Sequence, residues 1–150
     1  MIRAIIPDFN FTTDIIVGLP GETEDDFAQT LEVASKIGFG HIHAFKYSRR
    51  SGTLADKMDN QIDEKIKNKR SKILRDLSEK LSSDYLQKMI GKRQILLTET
   101  VENDDFIYGY GENYVRIKMK TFDGVKTNEF YTVEIVGVEG DCLVGVLLGS

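Results

Sequence analysis

Residues 12–23 read TTDIIVGLPGET, and this stretch decides the fold of the first half of the chain. Its centre, residues 14–17, is mainly apolar and β-branched, which favours a strand buried on both faces, as in a parallel sheet. Gly18, Pro20 and Gly21 then turn the chain. Thr23 and Asp26 have the spacing of a capping box, so we predict that a helix follows directly.

The stretch after this turn completes a strand–helix–strand unit. One helical face is apolar and the helix ends at glycines: Phe27, Leu31, Ala34 and Ile37, then Gly38 and Gly40. Residues 41–47 (HIHAFKY) read as a second strand. Since two parallel strands do not form a stable sheet alone, we expect missing chain or a partner to complete it.

A loop at 48–59 leads to a long predicted helix from Asn60 to Met89, which Gly91 ends. Its apolar stripe consists of Ile62, Ile66, Ile73, Leu77, Leu81 and Tyr85. Its charged face consists of Lys65, Lys69, Lys72 and Lys80. The amphipathic pattern indicates that one side of the helix packs on a core.

The remainder of the chain reads as five short strands separated by turn residues, at 93–101, 106–110, 113–119, 129–138 and 141–148. Val115, Ile117 and Met119 alternate with Tyr114, Arg116 and Lys118, which predicts one apolar and one wet face. Five short strands in this length indicate a small, five-stranded OB-like antiparallel β-barrel. We therefore predict two domains, 1–89 and 90–150.

Composition limits the possible functions. The 150 residues are 41% hydrophobic and 29% charged, as in a soluble globular protein, and neither a membrane span nor a signal peptide is visible. A single cysteine, Cys142, allows no internal disulfide, so a cytoplasmic location is expected. One cysteine also cannot hold an iron–sulfur cluster or a structural zinc by itself.

Charge is distributed unevenly along the chain. The net charge of -4 combines -5 over residues 1–45, +7 over residues 46–93 and -6 over residues 94–150. The basic middle block is either the solvated surface of a helix or a contact for nucleic acid.

Two motifs in the first half have weak chemical signals. The GLPGET loop follows a parallel strand, where α/β folds bind ligands, but it matches neither the P-loop nor the dinucleotide fingerprint. Taken alone it is best interpreted as a structural turn. His41 and His43 share a strand face, yet without a third ligand nearby we expect packing or hydrogen bonding rather than metal binding. No nucleophilic triad is visible, and no catalytic or metal-binding residue is predicted.

The barrel segment combines aromatic and basic residues: Tyr108, Tyr110, Tyr114 and Arg116, with Lys92, Arg93 and Lys118. Base stacking and backbone contacts on a small β-barrel need these residue types, so the pattern is compatible with RNA binding. Because tyrosine is also favoured in strands, ordinary sheet composition is the alternative.

Four stretches together, TTDIIVGLPGETEDDF, HIHAFKYSRRSGTLADKM, IGKR and GYGENYVRI, resemble the C-terminal part of the radical-SAM methylthiotransferases. The resemblance covers almost the whole chain. It implies that the α/β part contains the last βα units of a partial TIM-like barrel, and that the second domain is a TRAM domain, a small RNA-binding barrel.

The resemblance also implies a reaction, the replacement of C–H by a methylthio group with S-adenosylmethionine and two 4Fe-4S clusters. The family holds these clusters through cysteines upstream of the matched region, including a CxxxCxxC motif, which this chain lacks. We therefore expect that no cluster binds to this chain. We also expect the chain to be an inactive fragment that begins inside the TIM-like barrel. The implied adenosylmethionine wall consists of Val17, Gly18, Phe45, Lys46 and Tyr47.

The implied partners are tRNA and the missing N-terminal part of the parent chain, with no membrane. The RNA-facing candidates are Arg49, Arg50, Arg93, Tyr110, Asn113, Tyr114 and Arg116. Residues HIHAF resemble the enzymes that modify threonylcarbamoyladenosine beside the anticodon, the branch we favour, whereas FKYS is closer to the isopentenyl-adenosine enzymes. A third branch modifies a ribosomal protein, and a stand-alone RNA-binding module is a further alternative.

Overall fold

The computed structural model describes residues 2–102 and 105–148. The chain divides into two compact units, which we call the α/β unit, Phe11–Ser82, and the barrel unit, Met1–Asn10 with Ser83–Ser150. This division falls inside the long helix, whereas the predicted domain boundary near residue 89 stays a prediction. No helix in the described part of the chain has both the length and the apolar character needed to cross a bilayer.

The α/β unit contains the predicted strand–helix–strand arrangement. Strand β1 (Thr12–Val17) pairs in parallel with β2 (His41–Lys46), and helix α1 (Glu24–Ile37) connects them. The capping box is confirmed, because the Thr23 hydroxyl accepts from the Asp26 N–H and the Asp26 carboxylate accepts from the Thr23 N–H. Gly38 ends α1 in the left-handed conformation.

Helices cover only one face of this two-stranded sheet. The core consists of Val17, Phe27, Ala34, Ile42 and Leu74. The opposite face exposes Ile16 and Phe45, each to about half of its surface (50% and 51%). In this part of the structure, each strand therefore has one paired edge, and the face without a helix combines Ile16 and Phe45 with polar residues such as Asp14 and His43.

The long helix α2 spans Glu64–Lys88 and is shorter than predicted at its start. Ile62 precedes it, and Ile66 is 39% exposed, so the predicted apolar stripe is wrong in this first part. The buried positions there are polar instead: Lys67, Arg70 and Ser71. Ile73, Leu77 and Leu81 pack against the α/β core as predicted. Two short 3₁₀ helices, Ile2–Ala4 and Ala55–Lys57, complete the helical elements of the described chain.

The barrel unit is a closed five-stranded barrel, which confirms the OB-like prediction. Its strands are β3 (Arg93–Glu102), β4 (Phe106–Tyr110), β5 (Arg116–Lys120), β6 (Phe130–Glu139) and β7 (Cys142–Leu147). They close in the order β3-β4-β5-β7-β6. The description of the barrel as antiparallel is wrong for one pair, because β5 and β7 run parallel.

The barrel core consists mainly of inward-facing aliphatic residues, joined by side chains from the end of α2: Leu96, Ile107, Ile117, Met119, Val133, Ile135 and Leu143, with Tyr85, Leu86 and Met89. Gly109 allows β4 to cross close to β3. A Cβ at Gly109 would lie 1.8 Å from the Leu97 carbonyl oxygen, so only glycine fits there.

The predicted strand at 113–119 needs two corrections. Tyr114 lies outside β5, because a turn at residues 111–114 delays the strand to Arg116. Lys118 is buried, although its outward position predicted exposure. Its side chain is covered because it lies across the Phe106 ring, 4.8 Å from the ring centroid, and forms an ion pair with Glu139.

Candidate functional site

The loop after β1 is held by its own backbone and by α2. Gly18 has φ of 78°, a left-handed conformation, and its N–H donates to the Glu22 carboxylate at 2.7 Å. A Cβ at Gly18 would lie 2.5 Å from Cγ of the buried Lys67. Both the backbone conformation and the close approach of α2 therefore require glycine at this position.

Arg70 of α2 holds the same loop and the start of α1 through hydrogen bonds to two carboxylates. Its guanidinium is almost fully buried and donates to Glu22 Oε2 at 2.5 Å and to Glu24 Oε1 at 2.7 Å. Burial disfavours the charged guanidinium, but the hydrogen bonds to Glu24 and Glu22 outweigh it and raise the pKa of Arg70. Glu22 thus joins the loop N–H of Gly18 to the helix, which pre-organises the end of β1.

The predicted cofactor residues lie at the ends of β1 and β2. Val17 is fully buried in the helix-facing core, and its carbonyl accepts from the Tyr47 N–H at 2.8 Å, so a ligand could meet only its main chain. Phe45 is exposed on the opposite sheet face. Lys46 donates to Asn68 Oδ1 at 2.8 Å, and the buried Tyr47 hydroxyl has no hydrogen-bond partner among the described residues. The assignment of these residues to a cofactor stays a prediction.

Metal-binding chemistry has little support in this chain. His41 and His43 pack edge to face with ring centroids 4.4 Å apart, and burial, followed by the charge of His43, lowers the pKa of His41. No cluster of three or more metal-ligating side chains occurs within residues 2–102 and 105–148. Cys142 is buried in the barrel, where burial raises the pKa of its thiol. The donor set of this chain therefore does not fit an iron–sulfur cluster.

The outer face of β4 and β5 forms what we call the aromatic–cation surface, which consists of Phe106, Tyr108, Tyr110, Tyr114, Arg116, Lys118 and Lys120. Alternation along β4 places its three aromatic residues on one side. Strand pairing sets Tyr110 opposite Arg116, Tyr108 opposite Lys118 and Phe106 opposite Lys120. Aromatic and cationic side chains consequently lie side by side along two strands.

The cations of β5 contact aromatic rings of β4 that lie diagonally across the strand pair, not the rings directly opposite them. Arg116 lies 4.6 Å from the Tyr108 ring centroid, a cation–π arrangement. Burial, followed by a hydrogen bond with Glu102, raises the pKa of Tyr108. The hydrogen bond to Glu139 raises the pKa of Lys118, so that this lysine stays charged at neutral pH. The surface therefore combines aromatic rings with the exposed cations Arg116 and Lys120, whereas Lys118 is buried and paired with Glu139.

Tyr114 occupies a strained position at the end of this surface. Its φ is 58°, which is an outlier for a bulky residue, and its side chain is 83% exposed. Its N–H donates to the Gly111 carbonyl at 2.9 Å, which closes the turn. The ring stacks on Tyr110 with centroids 5.0 Å apart. Backbone strain of this kind is concentrated at functional sites.

The structure brings together only some of the predicted RNA-facing residues. Tyr110, Asn113, Tyr114 and Arg116 are neighbours at one end of β4 and β5. Arg93 instead pairs with Glu134 of β6 and lines a separate cavity of about 740 Å³ beside Phe130.

Arg49 and Arg50 belong to the α/β unit. The Arg49 guanidinium binds Asp56 at 2.9 Å, while Arg50 is exposed. Whether these seven residues contact RNA stays a prediction.

Sequence reasoning did not name Phe106 and Lys120, and it included Tyr108 and Lys118 in the pattern compatible with RNA binding but not among the RNA-facing candidates. A signal for them exists, since the alternation of FIYGY and RIKMK places all four on the same outer face. By contrast, nothing in the sequence indicates that Asn10 donates to the Asn113 carbonyl at 3.1 Å. That contact depends on the packing of the N-terminal segment within the barrel unit.

A strand–helix–strand unit followed by a small closed barrel with aromatic and cationic residues on one face is an α/β-plus-barrel architecture, and its function has to be argued from its sites. No family model matches the chain. Comparison with curated proteins is more specific: the chain corresponds to the C-terminal region of the methylthiotransferases.

Three relatives illustrate this correspondence. The chain is 39% identical over 134 residues to a threonylcarbamoyladenosine tRNA methylthiotransferase of Thermotoga maritima, covering 89% of this chain and 30% of the relative. It is 42% identical over 146 residues to a probable threonylcarbamoyladenosine tRNA methylthiotransferase of Methanocaldococcus jannaschii, covering 97% and 32%. It is 38% identical over 140 residues to a ribosomal protein methylthiotransferase of Clostridioides difficile, covering 90% and 32%. The chain thus spans about a third of the length of these relatives.

Proposed function

We propose that this chain is the C-terminal segment of a tRNA methylthiotransferase and that its barrel, a TRAM domain, binds tRNA through the aromatic–cation surface. The observation that carries the proposal is the row of rings and cations on β4 and β5, in a chain whose relatives include two that are named as tRNA methylthiotransferases. Rings provide stacking for unpaired bases and cations contact phosphates, and neither requires a particular sequence.

The α/β unit has a different role in this proposal. When bound, S-adenosylmethionine would supply the radical that removes a hydrogen from the substrate. The strand ends at Gly18, Phe45, Lys46 and Tyr47 would form one wall of its pocket, with Gly18 oriented by Glu22 and Arg70. The clusters that the reaction needs would be held by cysteines outside this segment, so the segment alone is inactive.

Within the family we favour the branch that acts on threonylcarbamoyladenosine next to the anticodon. Relatives with this name are found in Thermotoga maritima, Methanocaldococcus jannaschii and Bacillus subtilis. Relatives from the dimethylallyladenosine branch reach similar identity over a shorter stretch, 41% over 108 residues in Thermobifida fusca. That branch and the branch that modifies a ribosomal protein are the alternatives, and a cytoplasmic location stays a prediction.

Binding of the 150-residue chain to a tRNA transcript, measured by fluorescence anisotropy across a series of salt concentrations, tests the RNA-binding part of the proposal. Affinity should fall steeply with salt, because each phosphate contact releases counterions. Replacing Arg116 by Gln removes one such cation, which should reduce the slope of log K against log salt by about 0.7 to 0.9.

Arg75→Gln provides the matched control, because Arg75 is an exposed arginine of α2 in the α/β unit. It should leave the slope unchanged. Binding that is insensitive to salt, or equal slopes for both variants and the unmodified chain, would contradict RNA binding through this surface.

A further inference from the structure

A concave site lies beside Tyr114 in the barrel unit. It has a volume of about 500 Å³, within the range of pockets that hold small ligands. The N-terminal segment contributes Ile6, Asp8, Phe9 and Asn10 to its lining, and the barrel contributes Gln94, Glu112, Asn113 and Tyr114. All of these residues belong to the same compact unit.

The N-terminal side of this pocket is anchored to the barrel. The Tyr85 hydroxyl donates to the Asp8 carbonyl at 2.8 Å, and Lys92 forms an ion pair with the Asp8 carboxylate. Asn10 donates through Nδ2 to the Asn113 carbonyl, which fixes the orientation of its amide. The walls of the pocket are therefore held by specific bonds rather than by loose packing.

The pocket contains acceptors that no described donor satisfies, alongside the side-chain amide of Asn113 and the hydroxyl of Tyr114, which can also donate. Oδ1 of Asn10 is buried and has no hydrogen-bond partner among the described residues. Glu112 accepts from the Ile95 N–H through Oε2 at 3.3 Å, and its carboxylate is exposed at the mouth of the pocket. A buried acceptor without a donor is costly, so the pocket favours a ligand that brings N–H groups.

The charge and the shape of the pocket limit the choice of ligand further. Two carboxylates, Asp8 and Glu112, line the pocket and, within the described chain, only Asp8 forms an ion pair, with Lys92, so the lining is unfavourable for a phosphate group. The exposed ring of Tyr114, stacked on Tyr110, offers a platform for a planar ligand at the edge of the pocket. A planar ligand rich in donors satisfies both requirements.

We propose that this pocket binds a single unstacked guanine base of an RNA strand, an inference that rests on the proposed RNA-binding function. Guanine presents two neighbouring donors, N1–H and the 2-amino group, which match the two oxygens of one carboxylate. Adenine and cytosine each present one amino group beside an acceptor, and uracil presents one N–H between two carbonyls. Glu112 reads the base edge, Tyr114 stacks on its face, and Asn10 accepts from a remaining N–H.

The test measures binding of the 150-residue chain to fluorescent oligouridylates at low ionic strength. Their central nucleotide is guanosine, inosine, adenosine or uridine. The guanosine oligomer should bind about tenfold more tightly than the adenosine and uridine oligomers, since a bidentate pair discriminates by about that factor. Inosine lacks the 2-amino group and should lose most of this preference.

Glu112→Gln should reduce the guanosine preference, measured as the ratio of guanosine to uridine affinity in the same variant, to within about twofold. Asp123→Asn removes the same charge from an exposed turn outside the pocket and should keep the full preference. Asn10→Ala is a second pocket variant and should weaken guanosine binding alone.

Salt-dependent binding of all four oligomers with equal affinity would overturn the guanine pocket and leave the proposed function intact. Absence of salt-dependent RNA binding would overturn both. A guanosine preference that survives in Glu112→Gln would contradict the assignment of the pocket residues.

Discussion

The two units of this chain build their surfaces in opposite ways. In the barrel unit every strand has two neighbours, and the aromatic–cation surface is complete within one closed sheet. In the α/β unit the sheet has two strands, one sheet face is exposed, and the loop after β1 is ordered by contacts with helix α2. The comparison teaches that the barrel completes its sheet within this chain, whereas, in the described part of the chain, the two strands of the α/β unit each keep one unpaired edge.

The largest expected effect concerns the buried ion pairs of the α/β unit. Arg70→Ala leaves the mostly buried Glu22 carboxylate without its counter-charge, which should destabilise that unit by roughly 3–5 kcal/mol. Hydrogen exchange with mass spectrometry would detect this as faster exchange in peptides from β1 and α1, with barrel peptides unchanged.

Arg75→Ala is the control for Arg70→Ala, because Arg75 is exposed and should cost no more than about 0.5 kcal/mol. Equal loss of protection in the barrel would show that the two units do not respond separately. No loss in either unit would show that the Arg70 network contributes little stability.

A smaller effect concerns the pH dependence of stability in the barrel unit, which contains Tyr85. Burial, followed by the charge of Asp8, raises the pKa of Tyr85 to about 12 in the barrel unit. Between its ordinary pKa of about 10 and this raised value, the unfolded chain releases a proton that the folded chain keeps. The free energy of unfolding should therefore fall by roughly 2 kcal/mol across this window, and the contribution of Tyr85 should be constant below pH 10.

Urea unfolding of the original chain and of Tyr85→Phe at several alkaline pH values isolates this contribution. Other groups titrate equally in both proteins, so the difference between them should shrink as the pH rises from 10 to 12. A difference that stays constant over this range would rule out the raised pKa.

The smallest expected effect on stability is a difference between two variants of Tyr114, and comparing them separates the role of the ring in RNA binding from the role of the backbone in folding. Glycine tolerates the left-handed backbone at this position and alanine does not, so Tyr114→Gly should be more stable than Tyr114→Ala by roughly 1 kcal/mol. Both variants lose the ring and should lose RNA affinity equally, by about tenfold. Thermal unfolding and anisotropy measure the two quantities, and unequal affinities would indicate that the backbone, not the ring, contacts RNA.

Most of the fold could be predicted from periodicity and caps. The Thr23–Asp26 capping box, the left-handed Gly38 and the parallel pair of apolar strands are local features, so the sequence alone specifies them. The parallel pairing of β5 with β7 could not be predicted, because it joins strands that are not adjacent in the chain. Closure of the barrel determines this pairing, and closure depends on all five strands together.

The candidate sites were less predictable because their residues break the usual patterns. Lys67 and Arg70 occupy core-facing positions of α2 where apolar residues are expected, and only their contacts with Gly18 and Glu22 explain them. Tyr114 fits the alternation of a strand, yet the strained turn at residues 111–114 places it outside β5. Each of these features depends on tertiary packing that no local pattern encodes.

The most direct test of the contrast between the two units is to map RNA binding on the whole chain by NMR. Backbone amide shifts of the ¹⁵N-labelled 150-residue chain would be followed during titration with a short guanosine-containing RNA. We predict that the perturbed amides concentrate in residues 106–120, along β4, the turn at Tyr114 and β5. Perturbations concentrated in the α/β unit, or spread evenly over both units, would contradict the assignment of RNA binding to the barrel.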